Sequence, residues 1–159
     1  MAPKQAVAYG GAAPRMRIAR SGYAPRAMAS ASWSIPALPQ EVPALRSAVA
    51  SYAVEHEVHD PPINDLRLAV SEAVTNAVLH AFRHGPPGKV DVSLEIDRNN
   101  NEVTVVVTDD GVGMAPRPDS PGLGLGLPMI ATLAHTMEIR TPPGGQGTEL
   151  CMTFALPVG

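Results

Sequence analysis

Apolar and polar positions along the chain repeat with two periods. Between Val90 and Asp97, the residues Val90, Val92, Leu94 and Ile96 fall on one side and Asp91, Ser93, Glu95 and Asp97 on the other, the period-two pattern of a half-exposed strand. Asn99, Asn100 and Asn101 then form a polar turn, and the β-branched run Val103 to Val107 reads as a more buried strand, so the two pair as a hairpin. A second hairpin is predicted from Met137–Thr141 and Thr148–Leu156 across the turn Pro142–Gly147, with Leu150, Met152 and Phe154 alternating against Glu149, Cys151 and Thr153. Helical spacing appears elsewhere. Val42, Leu45, Val49, Tyr52, Ala53 and Val58 predict a helix from Glu41 to about His59, with Pro43 where a first turn tolerates it. Pro61 and Pro62 break the chain, Asn64 is placed to cap a longer helix running to about Phe82, and Gly85-Pro86-Pro87-Gly88 ends that helix. Asp109–Pro121 reads as a loop, followed by a short helix from Gly126 to Ala134. Ser32–Ile35, ahead of Pro36, reads as a short edge strand. Hairpins with helices between them predict an α+β two-layer sandwich whose mixed, mostly antiparallel sheet carries helices on one face.

Length fits one domain with a short extension, at 159 residues. Residues 1–30 are rich in Ala, Pro, Gly and Arg without periodicity and read as a flexible basic arm; residues 31–159 form the domain. The net charge of −3 hides an asymmetry, since residues 1–40 hold Lys4, Arg15, Arg17, Arg20 and Arg26 and none of the 15 acidic side chains. An acidic domain argues against direct nucleic-acid binding, which needs clustered Lys and Arg. The single cysteine, Cys151, excludes an internal disulfide framework and a multi-cysteine zinc site. No apolar run is long enough to cross a membrane, and the opening Met1-Ala2-Pro3-Lys4 lacks the apolar stretch of a secretory signal. A cytoplasmic protein with no membrane partner is expected.

Candidate chemistry lies on the second helix and in the glycine-rich turns. At about 100° per residue, Glu72, Asn76 and His80 share an arc of about 80° and span about 12 Å. Leu66, Val70, Val74, Ala77 and Ala81 occupy the opposite side. Ala69 and Ala73 lie between the polar residues and are expected to leave room for something to approach the helix. After the buried strand, Asp109-x-Gly111-x-Gly113 sets a carboxylate beside residues that let backbone come close to a ligand. Gly122-x-Gly124-x-Gly126 leads into a helix, whose free amides attract phosphate. It matches neither the Rossmann fingerprint, since Leu127 stands where a glycine belongs, nor a Walker loop, since Lys4 and Lys89 both lie elsewhere. His56 and His59, near Glu55, Glu57 and Asp60, read as a charged helix end rather than a metal site, and Cys151 as an ordinary thiol.

Together, Glu72-x-x-x-Asn76-x-x-x-His80, Asp109-x-Gly111-x-Gly113, Gly122-x-Gly124-x-Gly126 and Gly145-x-Gly147-Thr148 resemble, in order and spacing, the nucleotide-binding boxes of the GHKL (histidine-kinase-like) ATPases. Length and the lack of a phosphoacceptor helix make the chain look like a stand-alone anti-sigma-factor serine kinase. The resemblance implies a GHKL (Bergerat) fold, ATP and Mg2+ as cofactors, and an anti-sigma factor that sequesters a sigma factor and phosphorylates an anti-sigma-factor antagonist, as a homodimer. It also implies residue roles. Glu72 would be the general base and Asn76 the magnesium ligand, with His80 beside them. Asp109 would accept from the adenine amine, flanked by Gly111 and Gly113. Gly122, Gly124 and Gly126 would form the lid hinge and phosphate contacts, and Thr148 would lie on the adenine side. Arg46 would engage protein partners. The lid between Gly113 and Gly122 is eight residues long and stiffened by Pro116, Pro118 and Pro121. Many relatives carry Arg where this chain has Leu123 and an acidic residue near His135. Those departures keep open an alternative, a nucleotide-gated regulatory module without phosphotransfer, beside a plain interaction domain that takes no nucleotide.

Overall fold

The computed structural model describes residues 17–18, 28–81, 85–113 and 126–158. Alternating side chains build one sheet from β1 (Arg17–Ile18), β2 (Met28–Pro36), β3 (Lys89–Asp97), β4 (Glu102–Asp109), β5 (Thr136–Arg140) and β6 (Thr148–Ala155), in the order β1-β2-β3-β4-β6-β5. Every neighbouring pair is antiparallel, so among the described strands the sheet is antiparallel throughout rather than mixed. The pleat sends Ala31, Trp33 and Ile35 of β2, Val90, Val92, Leu94 and Ile96 of β3, Val103, Val105 and Val107 of β4, and Leu150, Met152 and Phe154 of β6 to one buried face. Ser30, Ser32, Ser34, Ser93, Thr104, Thr108 and Thr153 lie on the other side.

Three helices, α1 (Val42–Glu55), α2 (Pro62–His80) and α3 (Gly126–Leu133), cover the buried face. α2 lies along its centre, packed between α1 and α3. Each large aliphatic side chain buried here contributes about 1.5–3 kcal/mol by leaving water. Tyr52 of α1 fastens the helix layer to β2. Its hydroxyl donates to the Ser30 carbonyl at 3.0 Å, and its ring meets Trp33 edge-on, 5.8 Å between centroids at 79°.

Four sequence expectations change. The edge strand expected at Ser32–Ile35 is a nine-residue strand inside the sheet, paired with β3 from Met28↔Asp97 to Pro36↔Lys89. Its period was hidden because Ala29 and Ala31, too small to mark a face, hold the inward positions. β1 and the first residues of β2 thus fall within the stretch 1–30 read as an arm. The first helix stops at Glu55 instead of about His59 because the chain turns left-handed at Glu57, with φ +63°. There the Glu57 N–H bonds the Val54 carbonyl and the Val58 N–H bonds the Ala53 carbonyl, and Val58 is fully buried, a Schellman stop. Asn64 does not cap the second helix. That helix starts two residues earlier at Pro62, where a missing N–H costs nothing, and Asn64 Nδ2 donates to Asp60 instead. The expected end near Phe82 lies outside the described residues; Ala81 caps α2.

Candidate functional site

The strand that buries Val103, Val105 and Val107 carries the next inward position, Asp109, to the end of the core, where it is only 7% exposed. Its Oδ1 accepts the Gly111 N–H at 2.9 Å. Burial pushes the Asp109 carboxyl above its ordinary value, and the backbone N–H groups of Gly111 and Thr148 partly oppose that rise. Thr148, also nearly buried, pairs directly with Asp109 across β4 and β6. Two glycines make the approach possible. A Cβ on Gly147, whose φ is +91°, would sit 1.9 Å from the Asp109 carbonyl oxygen, and one on Gly111 would meet Ala81 at 2.5 Å. The turn 109–113 is therefore clasped between the end of α2 and the start of β6.

On α2, Glu72, Asn76 and His80 are half-buried, one helical turn apart, and form the expected stripe. Asn76 lies against the first residue of α3: a Cβ on Gly126 would approach its Nδ2 to 2.5 Å and its Oδ1 to 3.1 Å. Ala69 and Ala73 do not leave a gap for a ligand. They are 0% and 3% exposed, packed into the core, because the buried side of α2 is wider than one arc when helices flank it on both sides. Arg46 stands exposed on α1, its Nη1 donating to Ser71 Oγ at 3.5 Å, beside Glu72 in sequence.

Residues 35–154 match the family model for the histidine kinase-like ATPase domain. The chain belongs to the histidine kinase-like ATPase family. Its relatives include the anti-sigma F factors of Clostridium beijerinckii, 33% identical over 66% of this chain and 79% of that protein, and of Pasteuria penetrans, 34% identical over 67% and 77%. The anti-sigma F factor of Clostridium acetobutylicum is 33% identical over 70% of this chain and 84% of its own length. These relatives place the chain in the anti-sigma-factor branch of the histidine kinase-like ATPase family.

A histidine kinase-like ATPase domain implies a site for ATP, and the residues fit one. A nearly buried carboxylate, two glycines held so close to neighbouring backbone that no Cβ fits, and an amide-bearing helix stripe converge at one end of the sheet. No group of three or more His, Cys, Asp or Glu among the described residues could hold a metal alone. A divalent ion here would draw oxygen ligands from phosphate and water as well as from Asn76, the coordination magnesium favours. The His56 ring stacks on Tyr52 at 4.1 Å, with Nδ1 2.8 Å from the Tyr52 carbonyl oxygen. Gly122, Gly124, Leu123 and the three lid prolines lie outside the described residues. His135 is exposed between α3 and β5, its N–H bonded to the Thr153 carbonyl. No helix among the described residues is long and apolar enough to cross a membrane.

Sequence reasoning named Gly147 only as part of a motif and placed Ala81 on the core side of the helix. Both touch the Asp109 turn. The available signal was size: a glycine at 111 can be read as one half of a small–small contact, but its other half is set by the fold.

Proposed function

We propose that this protein is a cytoplasmic anti-sigma factor with serine-protein kinase activity. It binds ATP with magnesium, sequesters a sigma factor, and phosphorylates a serine of an anti-sigma-factor antagonist, acting as a homodimer. One observation carries the reading: Asp109 is a nearly buried carboxylate at the end of the apolar face, in a turn that touches the helix bearing Glu72 and Asn76. Its family membership and the names of its relatives support the same reading.

Bound ATP supplies the phosphoryl group that is transferred. Asp109 accepts a hydrogen bond from the adenine amine, which selects against guanine, because guanine carries a carbonyl at that position. Gly111 and Gly113 let the ring come close, and Thr148 sets a hydroxyl on the adenine side. Asn76 would hold magnesium through its amide oxygen, and His80 extends the same polar stripe. Glu72, one turn before Asn76, orients the substrate seryl hydroxyl and takes its proton as the new oxygen–phosphorus bond forms and ADP leaves with the electron pair of the broken bond. Positioning and charge neutralisation supply most of the acceleration in such transfers. Gly122, Gly124 and Gly126 serve the lid and the phosphates, and Arg46, exposed on α1, engages a protein partner.

Two measurements test this. In calorimetric titrations with magnesium present, wild type binds ATP well and GTP poorly, and Asp109→Ala loses about 10- to 150-fold in ATP affinity, the equivalent of about 1.5–3 kcal/mol for a hydrogen bond to a charged acceptor. Equal affinity for the two nucleotides in wild type would sink the adenine assignment. In a transfer assay from radiolabelled ATP to the antagonist, Glu72→Ala abolishes labelling and spares ATP binding. Full labelling by that variant would remove Glu72 from the chemistry.

A further inference from the structure

We propose that Ala81, the residue capping α2, is a positioning residue for nucleotide selection: its small side chain and its carbonyl seat the Gly111–Val112 backbone, and that seat fixes where Asp109 points. The inference rests on the reading of Asp109 as the adenine acceptor and adds a residue that touches no ligand. Three contacts carry it. A Cβ built on Gly111 would lie 2.5 Å from both the Cβ and the carbonyl oxygen of Ala81, so the two backbones meet with no spare space. The Val112 N–H donates to the Ala81 carbonyl at 3.2 Å, and Ala81 is itself held by its own N–H to the Ala77 carbonyl at 3.1 Å. The Gly111 N–H, in turn, is the donor to Asp109 Oδ1.

The opposite side of the turn lies close to backbone as well. A Cβ on Gly113 would come within 3.2 Å of the Gly147 carbonyl, and one on Gly147 would overlap the Asp109 carbonyl oxygen. A side chain larger than alanine at position 81 therefore crowds Gly111, and with it the hydrogen bond that orients the carboxylate. Because α2 also bears Glu72 and Asn76, one contact links the base-binding and phosphate-binding ends of the site.

The test is a size series at position 81, read as the ratio of ATP to GTP affinity by calorimetry alongside Tm. Ala81→Gly lowers Tm slightly and keeps the ratio within about twofold, whereas Ala81→Val loses about tenfold of ATP preference, the scale of one misdirected hydrogen bond. Ala81→Ser, one heavy atom larger, falls between them and carries the test if the valine variant does not fold. A ratio that stays at the wild-type value in every larger variant that folds overturns the inference, whatever happens to Tm. If wild type itself does not distinguish the nucleotides, the adenine reading fails separately. The seat is then judged by NMR titration of the Asp109 carboxyl, which rises further in the larger variants because the Gly111 donor is lost, and an unchanged titration overturns the inference.

Discussion

A carboxylate that ends an apolar sheet face works against the fold that holds it. Burial raises the Asp109 carboxyl above its unfolded value of about 3.9. A group raised in this way contributes stability that is complete below the unfolded value and is lost as pH climbs through the folded one. Asp109→Asn, which keeps the shape and an acceptor oxygen for Gly111, is therefore expected to be more stable than wild type at pH 7, with the gain fading by about pH 3. Urea unfolding at the two pH values checks this, and an equal gain at both would show that charge burial is not the cause. Residue type and spacing made Asp109, Glu72 and Asn76 legible in the sequence as candidates. The closeness of Ala81 and Gly147 to the Asp109 turn was not legible, because it depends on backbone 30 to 40 residues away in sequence.

Strong periodicity survived into the elements, and weak periodicity did not. β3, β4 and β6 carry large apolar residues at every second position and were located to within a residue or two, whereas β2 was read at half its length because alanines fill two of its inward positions. Helix ends were the least legible feature, since they depend on single backbone conformations. Glu57 is the clearest case: it holds the left-handed position of the α1 stop, where a side chain costs about 1–2 kcal/mol and glycine pays no such penalty. Glu57→Gly is expected to gain about 1 kcal/mol after the greater freedom of unfolded glycine is discounted. The measured sign is a higher urea midpoint with an unchanged slope. A loss of stability would mean that the Glu57 side chain makes a contribution of its own.

For the molecule as a whole, the pattern of two hairpins separated by one helix and preceded by two was enough to predict two layers with helices on one face, and that is the arrangement observed. What the pattern could not supply was the order β4-β6-β5, which brings the start of β6 beside the end of β4 and so sets Thr148 against Asp109. That adjacency is a long-range property of the fold, and it sets the Asp109–Gly113 turn beside Gly147 at one end of one sheet. Charge was informative in a different way. The acidic side chains all lie beyond residue 40, which bears on the partners a surface attracts and not on the fold.

The protein also carries one intrinsic probe of its own architecture. Trp33 is the single tryptophan of the chain, 3% exposed, lodged where the helix layer meets β2 and flanked by the Tyr52 ring. An indole in so dry a setting emits toward the blue and shifts red when water reaches it. Its fluorescence therefore reports, without any label, whether α1 remains docked on the sheet.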